Sequence, residues 1–224
     1  LELSSSVNYG FVTLYSLGKY FPQTIEIVAS MVKEPVFPEK ELAVILNVNK
    51  QQFQVNARRV DVMARKRMNR ALFGIHHPLG RYAELEDYAR INREVLQSYY
   101  RTYYHSGNSS VYVSGSVTPE VIRCIEQHFG EADWGDTAVK ASFKDYAPQT
   151  EASKHIFVEK EDALQSSLKI GGFSLSQQHP DYLKFRVLVT LFGGYFGSRL
   201  MSNIREEKGY TYGICAGLVN YPKI

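Results

Sequence analysis

Cysteine is scarce in this chain: Cys124 and Cys215 are the only two in 224 residues. Two cysteines make no disulfide framework, and nothing around either suggests a metal knuckle. An excess of one charge is also missing. Lys and Arg total 26 against 23 Asp and Glu, a formal net charge of +3. So near a balance does not argue for a nucleic-acid or membrane-surface protein. No stretch approaches the ~18–20 apolar residues that span a bilayer. No signal peptide is visible, and the chain opens Leu1-Glu2-Leu3 without a methionine. It stops at Asn220-Tyr221-Pro222-Lys223-Ile224, just after a strand-like run. The expectation is a soluble piece of a longer protein, its compartment left open between bacterial periplasm and cytoplasm. What is present fits a packed globular chain: 44% hydrophobic and 22% charged residues. At about 150 residues per domain this is one large domain or two small ones.

Periodicity places the elements. Ile25, Val28, Met31 and Val32 recur at helical spacing over residues 22–33. Pro38, with Glu39 and Glu41 behind it, opens a second helix with acids at its positive end. Its stripe of Leu42, Ile45, Leu46, Asn49 and Phe53 continues through Val60, Met63 and Met68, which predicts one helix to about Leu72, ended by Gly74. His76 to Arg81 reads as a loop. A helix follows from Asn92, carrying Val95, Leu96, Tyr99, Tyr100 and Tyr103. Residues 110–115 alternate as a strand. Thr118-Pro119-Glu120 is an N-cap, a first-turn proline and a first-turn acid, ahead of Ile122, Ile125 and Phe129.

Residues 133–152 lose periodicity and read as a linker. Beyond them, 155–159 and 164–175 read as strands, and 180–192 as a helix apolar nearly all round, hence buried. After Gly193-Gly194, Ser198 opens a short helix that Gly209 closes, and 210–218 alternate as a last strand. Strands and helices do not alternate strictly. The fold class expected is therefore α+β, an antiparallel sheet with helices packed on one face. His76-His77 reads as a solvated loop pair, and the basic run Arg58, Arg59, Arg65, Lys66, Arg67, Arg70 as a solvated helix face rather than a nucleic-acid site. The tyrosines at 99, 100, 103 and 104 read as half-buried packing.

The last segment is the most specific. It runs Leu191-Phe192-Gly193-Gly194-Tyr195-Phe196-Gly197-Ser198-Arg199-Leu200, then Ile204-Arg205-Glu206-Glu207-Lys208-Gly209-Tyr210-Thr211-Tyr212. It resembles the pitrilysin/insulinase family of zinc metallopeptidases, which includes the mitochondrial processing peptidases. That family carries a glycine-rich break, Ser-Arg-Leu, Ile/Leu-Arg-Glu and Gly-x-x-Tyr in this order in its second domain. Upstream, Glu34 to Pro38, Pro78-Leu79-Gly80, and Tyr103-Tyr104 followed by Asn108 resemble the back half of the first domain. The resemblance implies processing-peptidase-like half-domains: residues 1–132 as the back half of the first domain, 133–152 as linker, and 153–224 as the front half of the second.

The family hydrolyses peptides with zinc held by two histidines of an inverted His-x-x-Glu-His motif and by a later glutamate. The motif's own glutamate is the general base. None of the six histidines here (His76, His77, His105, His128, His155, His179) has that spacing to a glutamate and a second histidine. By spacing from Phe37-Pro38 the later ligand falls near Asn47, Val48 or Asn49, none a carboxylate, and Asp61 is the one acid between Leu42 and Ala83. A neutral amide is a poor zinc ligand beside two imidazoles. The expectation is no metal and no catalytic residue in this chain, with zinc in the full-length parent or a partner.

The resemblance assigns substrate binding to Arg205 and Tyr212. In the family an arginine and a tyrosine at this spacing clamp the substrate backbone and support the developing oxyanion. In bacterial two-subunit members one subunit brings zinc and the other brings this pair. The plain alternative for Arg205 is a cation satisfying a helix C-terminus. The expected function is the non-zinc, substrate-clamping portion or subunit of a zinc peptidase system, inactive alone. Two rivals stand beside it: a fragment of an active single-chain zinc metallopeptidase with its motif upstream, and a non-catalytic assembly subunit. Expected partners are a peptide substrate and a zinc-bearing domain or subunit, and the apolar faces left by the cut are expected to be covered either by the two halves folding against each other or by a second copy.

Overall fold

A computed structural model of the chain describes residues 1–6, 9–137 and 146–221. They divide into two compact units, Leu1–Ile170 and Gly171–Ile224. The architecture is α+β, mostly helical. Its paired strands among the described residues are β1 (Glu2–Ser5) and β2 (Gly10–Thr13), antiparallel, with Glu2 opposite Thr13 and Ser5 opposite Gly10.

In the first unit, α1 (Phe21–Lys33) has Pro22 in its first turn and buries Ile25, Val28 and Ala29, whereas Met31 of the predicted stripe is 53% exposed. Helix α4 (Arg93–Tyr103) is capped by Asn92, whose Oδ1 accepts the Val95 N–H at 2.8 Å. Tyr100 on α4 aims its hydroxyl at the Val32 and Lys33 carbonyls, 2.8 and 2.7 Å away. It thereby satisfies orphan acceptors at the end of α1. Thr118 caps α5 (Pro119–Ile125) by accepting from Val121 N–H at 3.4 Å, and the helix runs on as a π-turn over Glu126–Gly130.

The long helix expected from Pro38 to Leu72 is two helices. α2 (Glu39–Ala57) stops at Arg58 and α3 (Val60–Phe73) begins after Arg59, whose backbone is extended at ψ 126°. The guanidinium of Arg59 closes on both oxygens of Asp61, at 3.0 and 3.1 Å. Asp61 in the first turn of α3 lies at its positive end. A continuous apolar stripe does not distinguish one helix from two that share a core.

The basic run is only partly a solvated face. Arg67 forms a two-pronged ion pair with Glu151, both contacts 2.7 Å. Lys66 lies over the Phe53 and Tyr82 rings at 5.0 and 5.3 Å. Residues 149–151, in the stretch read as a linker, run back along α3: Gln149 N–H donates to Phe73 O and Glu151 N–H to Ala71 O, at 3.0 and 2.8 Å.

His76-His77 is not a solvated pair either. His76 is exposed, but His77 is buried. The His77 ring stacks on Phe73 at 4.8 Å and its Nδ1 accepts the Leu79 N–H at 3.0 Å. Burial pushes its pKa below the ordinary 6.5. The unfolded chain therefore takes up this proton first as pH falls. The contribution is flat above pH 6.5, and stability drops below it, down through the lowered folded value. Melting curves between pH 7.5 and 5 check this. His77→Asn, which keeps an acceptor near Nδ1 but does not titrate, is expected to flatten the pH slope. An unchanged slope would assign the effect to other groups.

The segments 110–115, 155–159, 164–175 and 210–218, expected as strands, carry no strand pairing among the described residues. Alternation selects an extended backbone, but a ladder needs a neighbour to accept its N–H groups. Phe157 is 99% exposed and Leu164 100%. The helix expected over 180–192 forms as α6 (Tyr182–Val189) and continues as a π-turn over Thr190–Gly194. It is not buried as expected: Tyr182 is covered, whereas Leu183 is 70% exposed. An apolar surface all round is buried only where something packs on every side.

Candidate functional site

The Gly-Gly break in the second unit has a steric cause. Gly193 is buried, and its carbonyl accepts the Ala216 N–H at 2.9 Å. A Cβ on Gly193 would stand 2.6 Å from that nitrogen and 2.8 Å from the Ala216 Cβ. Only glycine lets the returning segment approach so closely. A second tie, Asn220 Nδ2 donating to the Tyr182 hydroxyl at 2.8 Å, holds the same segment near α6.

The chain then turns through Tyr195–Ser198, with Ser198 N–H on Tyr195 O at 3.1 Å. Ser198 opens the next helix as expected, its carbonyl accepting the Ser202 N–H at 3.0 Å. Its side chain does not act as the cap. The residue is fully buried, and Oγ has no hydrogen-bond partner among the described residues. The helix is wound as a π-helix over Met201–Glu207. Gly209 ends it at φ 63°, the left-handed turn its position predicts. Gly209 N–H reaches Arg205 O, and Tyr210 N–H reaches Ile204 O, both at 3.1 Å.

Arg205 is half-buried on this helix, and its guanidinium lies 4.8 Å from the centre of the Phe196 ring. A cation held over an aromatic face keeps its N–H edge free for an acceptor. No carboxylate pairs with Arg205 among the described residues. Tyr212 follows three residues after the Gly209 turn and is 94% exposed. Thr211 folds the backbone around it, its hydroxyl donating to Gly213 O at 3.0 Å and accepting Gly213 N–H at 3.3 Å. Arg205 and Tyr212 thus lie on one short helix–turn–loop, but no contact joins their side chains among the described residues. Phe196 was missed as the residue that fixes Arg205. Its signal was its place in the glycine-rich turn beside Ser198.

Among the described residues the donor set does not fit a zinc centre. Asn47, Val48 and Asn49 lie exposed along α2, with no acid among them. No three His, Cys, Asp or Glu side chains converge among the described residues. Two histidines each use one ring nitrogen on a backbone N–H, His77 Nδ1 on Leu79 and His179 Nδ1 on Asp181 at 3.0 and 3.1 Å, whereas both ring nitrogens of buried His105 are without a hydrogen-bond partner among the described residues. No helix of the described residues is long and apolar enough to cross a membrane.

The family description "Peptidase M16 inactive domain" matches residues 90–223. The chain belongs to this family of pitrilysin- and insulinase-like metallopeptidases. Over 203 residues it is 26% identical to YmxG of Bacillus subtilis, named an uncharacterised zinc protease, covering 88% of this chain and 47% of that one. An uncharacterised zinc protease of Mycobacterium leprae is 27% identical over 157 residues, 66% of this chain and 34% of the relative. In three dimensions the chain resembles the crystal structure of a peptidase M16 inactive domain from Pseudomonas fluorescens. The TM-score is 0.64 at 21% identity, over 88% of this chain and 47% of the other. The chain therefore spans about half the length, or less, of the relatives it matches.

Proposed function

We propose that this chain is the non-zinc, substrate-clamping portion of a peptidase system, with Arg205 and Tyr212 as the clamp. The observation that carries it is the guanidinium of Arg205, fixed over Phe196 and free of any described carboxylate. Such a donor, with a phenol presented to solvent seven residues further along the chain, suits a peptide carbonyl whose oxygen gains charge. In this reading residues 1–132 are the back half of one peptidase-like domain, 133–152 the linker, and 153–224 the front half of the next. The four segments that lack strand pairing join an antiparallel sheet with helices on one face once the complementary half is present. Zinc and general base come from another domain or subunit, and this chain alone cleaves nothing.

A second reading draws on the relatives, which are about twice as long and are named zinc proteases. In it the parent is a single-chain zinc peptidase whose motif lies outside these residues. Zinc per mole of the purified full-length protein, without partner, separates the two. The clamp reading expects no stoichiometric zinc, and activity only when a zinc-bearing partner is added. About one tightly held zinc would overturn it in favour of the single-chain enzyme. The third reading, an assembly subunit without a role in turnover, is tested by the arginine variant taken up in the Discussion.

A further inference from the structure

The first unit holds a groove of about 240 Å³ between α2, α3 and the 3-10 turn Leu85–Arg90. Asn49, Gln52 and Asn56 line it from α2. Their spacing of three and four residues puts them on one helical face. None of the three side-chain amides makes a hydrogen bond with a described residue. The apolar wall is Phe53 against Tyr88, ring centres 5.6 Å apart and edge to face. Lys66 closes the groove from α3. Its ammonium, 5.0 Å from the centre of the Phe53 ring, has no ion-pair partner among the described residues. The nearest acid in sequence, Asp61, is already held by Arg59 through both oxygens.

We propose that this groove binds the C-terminal end of an extended peptide. The terminal carboxylate pairs with Lys66, the last peptide groups bond to the amides of Asn49, Gln52 and Asn56, and an apolar last side chain packs on Phe53 and Tyr88. Charge and donor pattern select this ligand. No carboxylate lines the groove, so one positive charge is left without a counter-charge. Amides carry both donors and acceptors, and a peptide backbone uses both, whereas a phosphate would use the donors alone. The volume falls below the roughly 300–1,000 Å³ of sites for whole drug-sized ligands, so it suits the end of a chain. The inference does not rest on Arg205 or Tyr212, and either can fail alone.

The test is calorimetric titration of the full-length protein with acetyl-Ala-Ala-Leu bearing a free carboxylate, and with its C-terminal amide. The acid is expected to bind at least about tenfold more tightly, the scale of one charge-assisted pair. Lys66→Met is expected to erase that difference, while Lys66→Arg keeps it. Should Lys66→Met fail to fold, Asn49→Asp is the second variant. Its carboxylate competes for Lys66, so acid binding weakens and amide binding does not. Equal binding of acid and amide, or no binding of either, would overturn the proposal. So would equal binding of an amide-capped peptide ending in glutamate, which would mean that any carboxylate serves. Arg205→Ala is expected to leave the preference for the acid over the amide unchanged, because that preference is set at Lys66.

Discussion

On the clamp reading, replacing Arg205 by alanine in the full-length protein, assayed with a zinc-bearing partner, is expected to lower the peptidase rate by about 10²–10³-fold. That is the usual scale for losing one oxyanion donor. The loss should fall mainly in kcat, because the donor matters most where charge develops on the carbonyl oxygen. Arg205→Lys should not restore the rate. A point charge lacks the planar fork and stacks poorly on Phe196. Tyr212→Phe removes one hydroxyl from a residue already 94% exposed. It should therefore lower the rate without moving the melting temperature. Phe196→Leu takes away the ring under the guanidinium, at 4.8 Å, and should give an intermediate rate. A rate unchanged by Arg205→Ala, with the fold intact, would remove the clamp and leave the assembly-subunit reading.

Gly80→Ala is expected to be the most destabilising single methyl in the described chain. A Cβ on Gly80 would stand 2.0 Å from the Gly74 carbonyl oxygen and 2.9 Å from its carbon. Both neighbours are backbone, so no side chain can swing away. Gly74 ends α3 at φ 82°, a conformation side chains rarely adopt, and it is pressed by Gln149, whose Cβ would be 2.9 Å from a Cβ there. Its carbonyl therefore cannot yield without disturbing the strap that runs along α3. Overpacking of this kind costs about 3 kcal/mol or more. For a chain of this size that lowers the melting temperature by roughly 6–12 °C. Gly172→Ala meets nothing within 4 Å, and serves as the neutral control. Equal melting temperatures for Gly80→Ala and the control would show that the two glycine backbones are not packed as described.

Much of the local structure was legible because its causes are local. Asn92 and Thr118 cap the helices their side chains predict. Gly209 takes the left-handed turn after Glu207, and Pro38 precedes an α2 whose first turn is acidic. Each depends on a few consecutive residues and on backbone geometry that any context would impose. The family, too, was contained in the order and spacing of the glycine break, Ser198-Arg199-Leu200, Arg205 and Tyr212.

What depended on distant residues was not legible. The sequence could not show that the stripe from Leu42 to Leu72 breaks at Arg58, since apolar spacing is the same for one helix or for two packed together. It could not show that His77 is buried against Phe73, that Glu151 meets Arg67 across 84 positions, or that Phe196 holds Arg205. Alternation in residues 155–159 and 210–218 stated a preference for extended backbone, but pairing belongs to two strands and is decided only where the second is supplied. Sequence by itself determined the caps and the turns, because those follow from short-range sterics and hydrogen bonding, and it carried the family as a resemblance of motifs. Tertiary structure alone decided which cations are neutralised and which, like Lys66 and Arg205, have no carboxylate partner among the described residues. That depends on which carboxylates the fold brings within reach.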